Sequence, residues 1–314
     1  MARFVLYRAF SLAGVLIAIS ILTFLIFQAI PNGDPALRLA GRLATPQQVN
    51  DVRHQWGFDK PIYVQYVKTM DKIFTGKVIS YTQQVNVLSE IKRDLPATIS
   101  LAVGAGVIWL GLGIAFGVIS ALTAGRFLDR ALTVLALVGV STPVFFLGAM
   151  MLYYLGYKWG LFPLGGYVPL TKNPWQWFTH LIMPWAALSV LFIGVYSRVL
   201  RSTMLDTMNE DYVRAARAKG VGRNRVLIRH VLRNSLIPVI SLFGLDFAAV
   251  IGGGAILTES VFGLHGVGQY AADSIGRLDV PPILVITMLT AFVVVVIGAI
   301  VDVVYAILDP RIRL

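Results

Sequence analysis

Residues 210–239 read EDYVRAARAKGVGRNRVLIRHVLRNSLIPV. Seven Lys and Arg fall in this stretch, yet strongly apolar runs adjoin it on both sides: Leu181–Ser197 is uncharged, and Ser235–Thr258 carries the single charge Asp246. Such segregation is foreign to a soluble domain, where about 25% of residues are charged throughout. Of the 314 residues here, 14% are charged and 57% hydrophobic, with a mean hydropathy of +0.73. The chain therefore reads as an all-α integral membrane protein.

Four further runs are apolar enough to span: Ala9–Ile30, Ala97–Ala124, Ala131–Tyr157 and Val280–Val301. A helix needs roughly 20 apolar residues to cross the hydrocarbon core, so six spans are expected in all. Ala9–Ile30 is too long for a signal-peptide core, and no small-residue cleavage site follows it. With the N-terminus inside, residues 1–8, 125–130, 198–234 and 302–314 hold 15 Lys/Arg, against 3 in the short outer pieces 158–180 and 259–279. Both termini and the basic loop are accordingly expected in the cytoplasm. The chain divides into 1–30 (N-terminus and first span), 31–96 (an external loop) and 97–314 (five further spans, with the cytoplasmic loop 198–234).

The net charge of +11 points, in this setting, to anionic headgroups and an acidic protein partner, with no nucleic acid implied. The absence of cysteine excludes thiolate metal sites, and no metal site is expected. In the external loop, Thr45, Pro46 and Gln48 form a capping-box signature. A second short helix is expected from Pro61, with Ile62, Tyr63, Tyr66, Met70 and Ile73 near one face. The pair reads either as a cap on the membrane surface or as a platform for an external partner.

Within the basic loop, Asn209 is expected to cap a helix whose first turn carries Glu210 and Asp211, acids that suit the positive end of the macrodipole. Tyr212, Ala215, Ala216 and Lys219 follow at i, i+3, i+4 and i+7, and the two alanines flatten that face. Gly220 ends the helix as a left-handed C-cap. A second, basic amphipathic helix places Arg225, Arg229 and Arg233 on one stripe, with Asn234 and Pro238 leading into the fifth span. Physics alone leaves two readings open: a helix anchored on headgroups, or a docking element.

The stretch resembles the cytoplasmic loop of ABC importer permeases, whose pattern is E-A-A, three residues, then Gly. Ala215, Ala216 and Gly220 match in register, and Arg214 stands at the glutamate position, as in the variant form of the dipeptide/oligopeptide permeases. PNGDPA, WGFDKPIYVQY, LPATISLA, STPVFFLG, FPLGGY, ESVFGLHGVGQY and DPRIRL agree along nearly the whole chain. It is similar to the first of the two permease subunits of such systems; glutathione- and nickel-type permeases share most of these stretches. The resemblance implies the six-helix type I ABC importer permease fold and an inner-membrane location in a prokaryote. It also implies a partner set: a second homologous permease subunit, two ATP-binding cytoplasmic domains and an extracytoplasmic substrate-binding protein. Glu210, Asp211, Tyr212, Ala215, Ala216, Lys219 and Gly220 then form the coupling element on which an ATPase docks. The implied cargo is a di- or oligopeptide, with glutathione, nickel or another small solute as alternatives.

No catalytic residues are expected. The chain lacks G-x-x-x-x-G-K-[ST], so ATP and Mg belong on partner subunits. GLHGVG at Gly263–Gly268 reads as a turn or gate segment. For the substrate path the candidates are Asp246, Gly252, Gly253 and Gly254. An intramembrane acid is costly and faces water, the bundle interior or a basic partner: Asp246 meets a solute ammonium, or it pairs with Arg198 or Arg201. The glycines, with Gly104, Gly106, Gly111, Gly113 and Gly117, serve either close helix packing or a pore wall. Pro143 is expected to kink the third span. An embedded hydrolase would require intramembrane His or paired acids, and the four histidines are scattered over loops. An ion-coupled transporter would require several intramembrane ionisable groups. The topology has a direct test: Thr45→Cys and Arg223→Cys should be labelled by an impermeant maleimide from opposite sides of the membrane, and labelling of both from the same side would overturn the assignment.

Overall fold

An apolar run can satisfy its own N–H and C=O groups in a bilayer by forming a helix, and the observed architecture follows that demand. The structure, a computed structural model, describes residues 2–26, 35–40 and 44–308. The end of the first expected span, the PNGD of the following loop and the terminal DPRIRL lie outside the described residues. Thirteen helices are described: α1 (Ala2–Phe24), α2 (Pro35–Ala40), α3 (Pro46–Trp56), α4 (Ile62–Phe74), α5 (Val87–Leu122), α6 (Phe127–Ser141), α7 (Val144–Lys158), α8 (Pro174–Met208), α9 (Asp211–Ala218), α10 (Arg223–Gly254), α11 (Ile256–Phe262), α12 (Val267–Gly276) and α13 (Val280–Leu308). Among the described residues there is no strand.

α5, α8, α10 and the Val280–Val301 part of α13 are long and apolar enough to cross a bilayer; α6 and α7 add a fifth span if the bent pair is counted as one. The apolar Phe10–Phe24 segment of α1 is shorter. The expected kink at Pro143 is a break: α6 and α7 meet at 96°. Proline disfavours helical geometry in the residue before it, and Thr142 is extended at φ −87°, ψ 120°.

Close glycine contacts fix the helix directions. A Cβ at Gly104 would strike the Trp185 ring, one at Gly113 would meet Tyr196 Cβ at 2.7 Å, and one at Gly117 would meet Leu200 Cβ at 2.8 Å. Both sets of numbers rise together, so α5 and α8 are parallel. α6 runs antiparallel to α8, with Gly139 on Val190 and Gly194 on the Ala136 carbonyl. α10 is antiparallel to α8, because Tyr196 meets Asp246 while Thr203 meets the Ser235 carbonyl. α13 returns along α10, with Gly252 on Thr290 and Gly244 on Val301. Trp109 sits fully buried where α5, α8 and α10 meet, its ring 4.5 Å from Phe192 and 5.8 Å from Phe243. The packing reading of Gly104, Gly113 and Gly117 therefore holds, whereas a Cβ at Gly111 would meet open space.

The segment before α5 forms a cap on the bundle. Thr45 Oγ1 accepts from Gln48 N at 3.3 Å, and Gln48 Oε1 accepts from Thr45 N at 2.8 Å. Pro61 precedes α4, whose expected single face divides: Tyr66, Met70 and Ile73 are half-buried, while Ile62 and Tyr63 are exposed. The cause is α1, where Ser20 Oγ shares a 2.7 Å hydrogen bond with Tyr66 Oη and Phe24 meets the Tyr66 ring edge-on at 5.4 Å. Asp279, buried just before α13, clamps the cap by accepting from Tyr81 N at 2.9 Å, from Thr82 Oγ1 at 2.7 Å and from Ser80 Oγ.

The other end of the bundle is held by Asp129 on α6. Arg201 donates to it twice, Nε to Oδ1 at 2.7 Å and Nη2 to Oδ2 at 2.8 Å; Gly125 N donates at 2.8 Å, and Ser120 Oγ also donates. A bidentate pair of this kind is geometrically specific. Asp129→Ala strands the Arg201 guanidinium and should cost about 3 kcal/mol, the low end for breaking a buried pair, since 32% of the Arg201 side chain stays exposed. Unfolding in detergent should report that loss, and the Asp129→Ala/Arg201→Ala double variant should lose less than the sum of the two singles.

Candidate functional site

α8 ends at Met208, and the chain turns at once into α9. The expected cap is displaced by one residue. Asn209 is helical and belongs to the end of α8, its Nδ2 donating to Leu205 O at 3.0 Å. Glu210, extended at φ −66°, ψ 144°, is the N-cap and makes no side-chain cap bond. Asn209 prolongs α8 because its side chain already has a carbonyl partner one turn back.

Burial divides the candidate residues of α9 into two sets. Val213 is fully buried and Ala216 half-buried, both packed on the central core. Tyr212 leans back onto α10: its hydroxyl accepts from Asn234 Nδ2 at 2.7 Å and donates to His230 O at 3.4 Å. Asp211, Arg214, Ala215, Ala218 and Lys219 are exposed. The expected face of Tyr212, Ala215, Ala216 and Lys219 thus splits: Tyr212 and Ala216 anchor the helix, while Ala215 and Lys219 stay on the surface. The 3.8 Å contact between Arg214 and Asp211 is exposed and contributes little. Gly220 adopts φ +75°, and the turn closes as a Schellman motif, with Gly220 N on Arg217 O at 3.0 Å and Val221 N on Ala216 O at 3.2 Å.

The basic helix expected after Gly220 is no separate element; it forms the first turns of α10, which continues into the fifth apolar run. Residues Val226–Leu232 are π-helical, so the buried positions Val226, Val231 and Ser235 follow a spacing of five and then four. Arg225, Arg229 and Arg233 all remain exposed, as their stripe demands.

Asp246 has neither arginine as a partner. Arg201 is taken by Asp129, and Arg198 Nε donates to Gly194 O at 3.1 Å. Tyr196 Oη donates to Asp246 Oδ2 at 2.8 Å instead, and the carboxylate is half-buried. The three glycines of α10 have local tasks. A Cβ at Gly252 would meet Thr290 Cγ2 at 2.6 Å; Gly253, at φ +109°, breaks the helix; and a Cβ at Gly254 would meet Ala249 O at 2.7 Å. Packing and a helix break account for all three.

Sequence reasoning passed over Glu259, which is fully buried. Thr98 Oγ1 donates to its Oε1 at 2.7 Å, and Gln269 N donates to its Oε2 at 2.8 Å; Val267 N in turn donates to Thr98 Oγ1 at 2.9 Å. One carboxylate therefore ties α5, α11 and the N-terminus of α12 together. Two glycines of GLHGVG make room for this carboxylate: a Cβ at Gly268 would meet Oε2 at 2.9 Å, and one at Gly266 would overlap the same group; Gly263, at φ +57°, caps α11. The available signal was an acid directly after an apolar run and ahead of a glycine-rich turn.

Crossed apolar helices thus carry a short basic element at one end of the bundle. A family model described as "Binding-protein-dependent transport system inner membrane component" matches residues 113–314, and one described as "Binding-prot-dependent transport system membrane comp, N-term" matches residues 1–102. The chain is 36% identical over 314 residues to the "Probable peptide ABC transporter permease protein y4tP" of Sinorhizobium fredii. It is 35% identical over 317 residues both to the "Dipeptide transport system permease protein DppB" of Lactococcus lactis and to the "Oligopeptide transport system permease protein AppB" of Bacillus subtilis. Each of these alignments covers 100% of both chains. Among solved structures, the inward-facing MetNI methionine ABC transporter in its CY5 native crystal form matches with a TM-score of 0.55 at 17% identity, covering 71% of this chain and 97% of that one. That likeness bears on the fold. The chain belongs to the family of inner-membrane components of binding-protein-dependent transport systems, and is a translocation component, not an enzyme.

The geometry around Asp246 separates a hydrogen-bonded acid from an ion-pair member. Asp246→Asn keeps an oxygen that can accept from Tyr196 and should stay within about 1 kcal/mol of the parent. Loss of an ion-pair member would cost about 3–5 kcal/mol. Melting of the purified variant decides between them.

Proposed function

We propose that this chain is the first of two membrane-spanning subunits of an ATP-driven importer for di- and oligopeptides. It pairs with a second homologous permease. Two cytoplasmic ATP-binding domains, which carry ATP and Mg, drive the pair, and an extracytoplasmic binding protein delivers the solute. The peptide cargo rests on what the full-length relatives are called. The orientation, with both termini and α9 in the cytoplasm, rests on the distribution of Lys and Arg.

The single observation that carries the coupling role is the two-sided build of α9. Val213, Ala216 and the Tyr212 hydroxyl bind it to α8 and α10, and the flat exposed positions Ala215 and Ala218 face away. A helix fixed on one side and bare on the other can receive a push from a docked ATPase and pass it to two long helices. The path is proposed to run past Asp246, whose half-exposed carboxylate has Tyr196 and no arginine on it.

Ala215→Glu puts a bulky charge on the bare face without touching the anchors. Gly220→Val puts a β-branched residue at φ +75°, where it is a steric outlier. Both should leave the spans inserted. Ala215→Glu should weaken ATPase retention about tenfold or more, as an unpaired charge buried at an interface does, and transport should fall with it. An Arg225/Arg229/Arg233→Gln variant should retain the ATPase. The opposite pattern, with Ala215→Glu active and the arginine variant dead, would assign the loop to lipid headgroups.

A further inference from the structure

A cavity of about 660 Å³ opens among Arg93, Asp94 and Ser100 of α5, Tyr167 and Leu170 of the α7–α8 connection, and His265 in the turn before α12. It lies at the far end of α5 from the basic loop, since Leu122 at the other end of α5 shares a groove with Arg217 and Val221. Its size falls within the range of small-molecule sites, roughly 300–1,000 Å³.

Arg93 and Asp94 both line the cavity, and Glu90 backs the arginine. Arg93 serves two carboxylates: Nη1 donates to Glu90 Oε1 at 3.0 Å, Nη2 lies 2.5 Å from Glu90 Oε2, and Nε donates to Asp94 Oδ1 at 2.9 Å. Glu259 is buried behind the wall, within electrostatic reach of Asp94. Asp94 is 5% exposed, yet it lines the cavity, and among the described residues no donor bonds its Oδ2. Tyr167 Oη donates to Pro96 O at 3.3 Å and shares a 3.1 Å hydrogen bond with Ser100 Oγ. The Ser100 hydroxyl therefore points its hydrogen at Tyr167 and keeps its lone pairs for a donor. A nearly buried carboxylate oxygen, a hydroxyl acceptor and an aromatic ring suit a compact cation with several N–H donors.

We propose that this cavity receives a protonated primary amine, with Asp94 as its acceptor. Resting on the peptide-importer reading, the amine is the N-terminal ammonium of a peptide just released on the external side. Asp94 is then the first group of this chain to hold the solute, ahead of Asp246.

The test uses the assembled transporter, both permeases with their ATPases, in nanodiscs without the binding protein, and titrates it with trialanine and with N-acetyltrialanine. Trialanine should bind, and its acetylated form should bind about tenfold or more weakly, the worth of one charge-assisted hydrogen bond. Asp94→Asn should lower trialanine affinity by a similar factor. Leu170→Trp, which fills the cavity from the opposite wall and keeps the charge, should do the same. Should Asp94→Asn fail to assemble, Leu170→Trp and the acetylated peptide still decide. Equal affinity for the two peptides, or parent affinity in Leu170→Trp, would overturn the site, as would a cavity occupied by the second permease and indifferent to both substitutions. Trialanine uptake by the complete system is measured alongside. Uptake with unaltered binding in the variants removes the amine site alone, whereas absence of uptake removes the peptide reading and the amine site with it.

Discussion

Three glycines set the distance between α5 and α8. In a bilayer the lipid tails are as apolar as leucine, so two helices gain little by hiding apolar surface from lipid and must gain by close packing. Gly104, Gly113 and Gly117 let α8 come within contact of the α5 backbone over nearly four turns, and Trp185, Tyr196 and Leu200 fill the spaces that side chains would have taken. Trp185 Nε1 then reaches Ser100 O at 2.9 Å, and Ser189 Oγ reaches Ala105 O at 3.1 Å. α6 and α10 pack on this parallel pair, and α13 packs on α10. A wider separation would lose the Trp109 cluster and, with it, the register that brings Tyr196 to Asp246.

Buried carboxylates fasten the ends of this bundle. Asp129 joins α6 to α8, Glu259 joins α5 to α11 and α12, and Asp279 joins the cap to the start of α13. Each accepts from several donors, which is the condition for keeping a carboxylate out of water. Each also links residues distant in sequence, from 72 positions apart for Asp129 and Arg201 to 199 for Asp279 and Ser80. These hydrogen bonds of fixed geometry at the ends reinforce the register that the glycine contacts set along the helix middles.

The basic loop shows the same division of labour on a smaller scale. One side of α9 is committed to the bundle through Val213, Ala216 and Tyr212, and the other carries only short or charged side chains. Its Schellman turn at Gly220 directs the chain into α10 within a few residues. At the opposite end, Asp94 on the cavity wall and Thr98, which holds Glu259, lie one turn apart on α5.

The sequence by itself determined the membrane class, the apolar runs, the capping box at Thr45 and Gln48, the αL turn at Gly220 and the family likeness. Each depends on local chemistry: uninterrupted apolar composition, a side chain reaching its own backbone three residues away, or a glycine that alone tolerates positive φ. Tertiary structure decided the partners. The sequence left Asp246 between a solute ammonium and an arginine; α6 brings Asp129 to Arg201 and leaves Asp246 to Tyr196. Ala216 looked exposed by its spacing, but α9 lies down on α8 and α10 and turns it inward. Glu259 looked like an ordinary residue at a helix end until Thr98 and Gln269 closed around it. Contacts between positions tens to hundreds of residues apart depend on how helices cross, and no periodicity within one helix encodes the neighbour it will meet.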